Sequence, residues 1–161
     1  MTFKLTYSTM FDPPDDLHVR FDTAVARVEA ALGATHALYV AGRDRAADAT
    51  APTFNPADRR QRLGEFPAAT VKDVDAAMRA AHEAFADWSQ APVASRMAVL
   101  RRVGALIEER VFDIGAALTL EVGKNRMEAL AEAQETAEFF YQYCEEFERR
   151  SGFGHALPND P

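Results

Sequence analysis

Residues Thr119 to Glu128 read TLEVGKNRME, a Gly-Lys pair set inside a region that otherwise has helical periodicity. Two readings compete for Gly123-Lys124, and they lead to different folds. A phosphate-binding loop needs a glycine five positions earlier, to free a run of backbone amides, and Ser or Thr after the lysine to meet magnesium. Those positions hold Leu118 and Asn125. The mechanical reading fits instead. Gly123 takes a left-handed conformation that ends one helix, Lys124 lies near that helix's negative end, and Asn125 with Glu128 forms a capping box for the next. The stretch therefore predicts a helical hairpin.

Outward from that turn, helical signals dominate. Thr70 with Asp73 makes a capping-box start, after which Val71, Val74, Met78, Ala81, Phe85 and Trp88 recur at spacings of three and four. Pro92 suits the first turn of a second helix with Met97, Leu100, Val103, Ile107 and Val111 as its stripe. A third, shorter helix carries Ile114, Leu118 and Val122 up to Gly123, and a fourth runs from Asn125 towards Arg150. Near the N-terminus, Leu17, Phe21, Val25, Val28 and Leu32 give another helix with one apolar face, and Gly33 stands at its C-terminal end. Between His36 and Ala69 short apolar runs are closed by Gly, Pro, Asn or Asp, which predicts two or three short strands in a hairpin or meander.

The 161 residues suffice for one domain or a piece of one, and 48% hydrophobic with 27% charged residues describes a folding chain. A net charge of -7 with interspersed Lys and Arg offers no basic stripe for nucleic acid or an anionic membrane. No basic-then-apolar leader opens the sequence and no apolar run approaches the ~20 residues that span a bilayer, so the expected location is the cytoplasm. The one cysteine, Cys144, rules out an intrachain disulfide and any multi-cysteine metal site.

Candidate chemistry is sparse. Gly-x-Gly-x-x-Gly is absent, so no nucleotide fingerprint is present. Cys144 has Tyr143, Glu145 and Glu146 as neighbours, and carboxylates oppose thiolate formation, so a packed thiol in register with Phe140 and Phe147 is expected. His18, His36, His82 and His155 are far apart with no metal-ligand spacing. Glu132, Glu135, Glu138, Glu145, Glu146 and Glu148 read as a solvated helix face.

The order of these pieces resembles the N-terminal part of an NAD(P)-dependent aldehyde dehydrogenase. LYVAGRDR, TFNPADRRQRLGEFPAATVKDVDAAMRAAHEAFADW, SRMAVLRRVGALIEER and LTLEVGKNRMEALAEAQETAEFFYQY carry the likeness across Leu38 to Tyr143. Its landmarks are Asn55-Pro56, Asp73-Val74, Phe85-x-x-Trp88 and Glu121-x-Gly123-Lys124. Within the superfamily, the helix before the first strand and EVGKNRMEA are most similar to the 1-pyrroline-5-carboxylate (L-glutamate γ-semialdehyde) dehydrogenases.

That resemblance implies an α/β fold in which this stretch is mostly helical with a small antiparallel hairpin or meander. It implies a division into an N-terminal helical arm over 1–37, a β-hairpin or meander over 38–69, helices flanking the nucleotide-binding domain over 70–150, and over 151–161 the start of the strand leading to the oligomerisation element. The family's cysteine nucleophile, water-activating glutamate, oxyanion donors and NAD or NADP site belong to segments past Pro161, so no catalytic, cofactor-binding or metal-binding residue is expected in this chain. By the same likeness Cys144 is not the nucleophile, and Glu135, on the helix after EVGK, is placed to meet a substrate ammonium group. The expected partners are the aldehyde substrate and the remainder of the dehydrogenase, or failing that a self-association partner. The rival reading is a non-catalytic helical assembly module, or one half of a split enzyme.

Overall fold

A computed structural model describes residues 13–154 and Ala156. The chain begins with helix α1 (Asp15–Glu29), passes through strands β1 (Ala34–Thr35), β2 (Leu38–Val40), β3 (Arg43–Arg45), β4 (Thr50–Phe54) and β5 (Arg62–Pro67), and continues in α2 (Val71–Gln90), α3 (Val93–Glu109), α4 (Val111–Val122) and α5 (Arg126–Arg149). A 3-10 turn over Ser151–Phe153 follows. The first twelve residues of the expected N-terminal arm lie outside the described residues. So do His155 and 157–161, which make up most of the strand expected over 151–161.

The β region is richer than one meander. β2 and β3 pair antiparallel as a separate hairpin, with Tyr39 opposite Asp44, and Ala41 and Gly42 supply the positive-φ turn. The second sheet runs β1-β5-β4. β4 is antiparallel to β5, whereas β1 is parallel to it, aligning Ala34 with Gly64. A parallel pairing between segments so far apart in sequence leaves no local turn signal. Gly33 makes the approach, with φ 82° and its N–H donating to the Leu63 carbonyl at 2.8 Å. Gly64 is needed for contact, since a Cβ there would stand 3.0 Å from the Ala34 carbonyl oxygen.

Packing concentrates in α1, α4 and α5. Leu17, Phe21 and Ala24 of α1 meet Val111, Phe112 and Ala116 of α4 and Leu130 and Ala133 of α5 in one buried cluster. The face that α4 buries differs from the expected stripe: Val111, Phe112, Gly115, Ala116 and Leu120 turn inward, while Val122 is exposed. Because α4 is apolar nearly all round, periodicity could not choose its face. The small residues chose it, as Gly115 lets Leu130 approach where a Cβ would stand 2.9 Å from Leu130 Cδ2. Between α3 and α5 the Tyr141 ring lies on Gly104, and Tyr141 donates to Glu108 at 3.1 Å. Burial, with the Glu108 carboxylate beside it, pushes the Tyr141 hydroxyl above its ordinary pKa. Cys144 is buried, its thiol against the Met97 carbonyl.

Helix α2 stands apart. Its capping box forms as expected, with Thr70 and Asp73 bonded reciprocally, and those hydrogen bonds hold the Asp73 carboxyl below its usual range. Arg45 of β3 lies 3.6 Å from Asp73 and ties the hairpin to the helix start. Yet no residue of α2 is fully buried, and Val71, Met78 and Phe85 are 77%, 67% and 63% exposed. The amphipathic stripe is real, and the described residues do not cover it.

This contrast sets the energetics. Leu130→Ala is expected to destabilise the chain by about 2–5 kcal/mol, whereas Val74→Ala should stay within about 0.5 kcal/mol. Melting followed by the helical circular dichroism signal checks both. Equal losses would contradict a core centred on Leu130.

Candidate functional site

At the α4–α5 hairpin charged side chains converge on a groove next to a sharp turn. Gly123 has φ 79° and ψ 19°, the left-handed C-terminal cap read from the sequence, and its N–H donates to the Thr119 carbonyl at 3.1 Å. Asn125 caps α5, its Oδ1 accepting from Met127 N at 3.1 Å and Glu128 N at 3.0 Å. The β4–β5 loop presses on the turn, since a Cβ on Gly123 would meet Pro56 Cγ at 3.2 Å. That loop is itself braced by buried Asn55, whose side chain donates to Gln61 Oε1 at 2.7 Å and accepts from Ala57 N at 2.8 Å.

Lys124 does more than sit at a helix end. It pairs with Glu132, two turns into α5, and so straps the turn to the helix that follows it. These contacts do not fit a phosphate cradle, because the amides of Gly123, Met127 and Glu128 already have acceptors and the lysine already has an anion.

Glu128, Glu132 and Glu135 fall on one face of α5 by their spacing. With Lys124, Asn125, Met127 and Ala131 they line a groove of about 670 Å³. Three carboxylates face one ammonium there, and the lysine is taken by Glu132. Glu135 is exposed and, among the described residues, has no ion-pair partner. The groove thus holds two carboxylates, Glu128 and Glu135, without an ion-pair partner among the described residues, an arrangement that suits a small cation. Back contacts hold the wall in place, as Met127 and Ala131 pack at the margin of the core cluster.

The rest of the acidic run does not join this site. Glu148 accepts both guanidinium nitrogens of Arg101, and Glu146 accepts from Arg149 and Arg150, contacts that hold both carboxyls below their usual range. His36 stacks on Phe66 with ring centres 4.6 Å apart, and His18 lies against Arg126. Among the described residues no group of three or more His, Cys, Asp or Glu side chains could hold a metal ion, and no helix is long and apolar enough to cross a membrane. Glu135 lies on α5 and lines this groove, and the Lys124–Glu132 strap is a feature that sequence reasoning missed. The eight-residue spacing between a lysine at the turn and a glutamate two turns on was the available signal.

Residues 43–160 match the family model described as the aldehyde dehydrogenase family. The 1-pyrroline-5-carboxylate dehydrogenase of Staphylococcus saprophyticus is 33% identical over 124 residues, 77% of this chain and 24% of the relative. The Bacillus subtilis 1-pyrroline-5-carboxylate dehydrogenase 2 is 32% identical over the same length and coverage. Among solved structures, the Thermus 1-pyrroline-5-carboxylate dehydrogenase with bound NAD superposes with a TM-score of 0.85 at 27% identity, over 92% of this chain and 29% of that one. The Mycobacterium tuberculosis Δ-pyrroline-5-carboxylate dehydrogenase bound with NAD gives 0.80 at 26%, over 92% and 28%. The chain thus spans about a quarter of the length of the curated relatives it matches.

The turn's two demands on Gly123 can be separated with Gly33, which shares its backbone conformation at φ 82° but has nothing within 4 Å of a Cβ. Gly33→Ala should cost about 1–2 kcal/mol for the left-handed backbone, and Gly123→Ala about 1 kcal/mol or more beyond that for the Pro56 contact. Melting temperatures of the two variants test this, and equal shifts would show that the β4–β5 loop does not press on the turn.

Proposed function

We propose, for a chain that belongs to the aldehyde dehydrogenase family, that it is the N-terminal portion of an NAD-dependent enzyme oxidising L-glutamate γ-semialdehyde to the carboxylate, and that Glu135 binds the substrate's ammonium group. The observation that carries the reading is the position of Glu135. It is a carboxylate without an ion-pair partner among the described residues, on the wall of a groove whose lysine is already neutralised by Glu132. The names of the similar enzymes described above, 1-pyrroline-5-carboxylate dehydrogenases, support the substrate class.

In this reading the described residues bind and orient. An ammonium group facing Glu135 makes a charge-assisted hydrogen bond, commonly worth about 1.5–3 kcal/mol, and fixes the amino-acid end of the substrate so that its aldehyde end points out of the groove. Glu128, in the first turn of α5, lies near the positive end of the helix dipole and adds negative potential without competing for the lysine. NAD supplies the oxidising power in the complete enzyme. Since the turn at Gly123–Asn125 does not fit a nucleotide, its site falls to the remainder of the enzyme.

The exposed stripe on α2, with Val71, Met78, Phe85 and Trp88, fits helices that flank a nucleotide-binding domain and are covered by it. That is the division read from the sequence, with 70–150 as flanking helices and 38–69 as the β element beside them. The partner is then the remaining three-quarters of the dehydrogenase.

Substitution of the proposed contact tests the reading in the full-length protein. Glu135→Ala should raise KM for L-glutamate γ-semialdehyde by about tenfold or more, since a charge-assisted bond of about 1.5–3 kcal/mol is lost, and leave KM for an aliphatic aldehyde of similar length nearly unchanged. Steady-state kinetics on both substrates decide it, and equal effects would remove Glu135 from substrate recognition.

A further inference from the structure

Helix α1 precedes the first residue matched by the family model; it packs on α4 and shares a buried cluster with the helix that carries Glu135. Leu17, Phe21 and Ala24 are 0%, 3% and 0% exposed, and the cluster they join includes Leu130 and Ala133 of α5, with Met127 and Ala131 at its margin. Met127 and Ala131 also line the groove. The first two turns of α5 therefore stand between that shared cluster and the groove.

Arg126, the first residue of α5, crosses to α1 and meets three of its residues. Its Nη1 lies 2.9 Å from His18 Nδ1, its Nη2 donates to Asp22 Oδ1 at 2.9 Å, and its guanidinium carbon sits 5.0 Å from the centre of the Phe21 ring. His18, Phe21 and Asp22 are neighbours on one face of α1 by helical spacing, so the planar guanidinium is fixed in position and in plane. Because Phe21 is also a core residue, the clamp and the core hold the same point of α1.

We propose that Arg126 is a positioning residue: by clamping the start of α5 to α1 it sets where Glu135 stands in the groove, which makes the N-terminal helix part of substrate recognition. The proposal rests on the role given to Glu135 above. Its physical basis is a stiff rod. Glu135 lies nine residues beyond Arg126, roughly 13 Å along the helix at about 1.5 Å per residue, and an α-helix carries a shift or rotation at one end to the other. A charge-assisted bond tolerates little misplacement, so loosening the clamp weakens the grip on the ammonium while sparing chemistry at the aldehyde end.

The test uses the full-length enzyme with L-glutamate γ-semialdehyde and an aliphatic aldehyde of similar length. Arg126→Ala is expected to raise KM for the amino-acid aldehyde by about threefold to fivefold, the scale of a partly exposed ion-pair cluster, with kcat and the aliphatic KM moving far less. Asp22→Ala should do the same, Arg126→Lys should fall between wild type and Arg126→Ala, and in a Glu135→Ala background Arg126→Ala should add nothing. Hydrogen exchange in Arg126→Ala should quicken over residues 124–135 and stay unchanged in α2. Equal KM increases for both aldehydes, additive losses with Glu135→Ala, or unaltered exchange over 124–135 would overturn the proposal. If Glu135→Ala itself fails to distinguish the two aldehydes, the substrate reading has failed and the proposal with it. If Glu135→Ala distinguishes them and Arg126→Ala does not, the positioning role alone is refuted.

Discussion

Gly123 turns the chain through a left-handed residue between two helices, and the geometry of the candidate site follows from that reversal. With φ at 79°, α4 can end, Asn125 can cap α5, and the returning helix packs so closely that Gly115 admits the Leu130 side chain. The hairpin gives α1 a surface on which to bury Leu17, Phe21 and Ala24, and this completes the buried cluster. A side chain at Gly123 would meet both left-handed strain and Pro56, so the β4–β5 loop, the turn and the helical core are mechanically one unit.

Charge placement on this frame separates carboxylates that are paired from those without an ion-pair partner among the described residues. Glu132 is spent on Lys124, Glu146 on Arg149 and Arg150, and Glu148 on Arg101. Glu135 faces the groove with no such partner among the described residues, which is the condition for a carboxylate to bind a ligand cation rather than to brace the fold. The two faces of α5 divide the labour: apolar Leu130, Ala133 and Ala137 fix the helix, and Glu128, Glu132 and Glu135 furnish the groove.

Local signals were legible in the sequence because they depend on residues a few positions apart. Thr70 with Asp73 and the left-handed Gly123 form as their spacing predicts, Asn125 caps α5 without the return bond from Glu128 that a capping box requires, and Cys144 is packed as its neighbours imply. Features set by distant residues were not legible. The parallel pairing of β1 with β5 joins Ala34 to Gly64, and the buried face of α4 is chosen by Gly115 and Ala116 against Leu130 rather than by its own stripe. The clamp of Arg126 on His18 and Asp22 spans more than a hundred residues of sequence. The stripe of α2 was legible as amphipathic, but not that the described residues would leave it exposed.

We propose that the α4–α5 turn positions Glu135 to hold the ammonium group of an amino-acid semialdehyde. A crystal structure of the full-length protein with L-glutamate, the product of that oxidation, tests it most directly. The claim predicts the ligand nitrogen within about 2.7–3.2 Å of a Glu135 carboxylate oxygen, with Lys124 still on Glu132. L-glutamate bound with its ammonium group on other residues, and Glu135 turned to solvent, would contradict it.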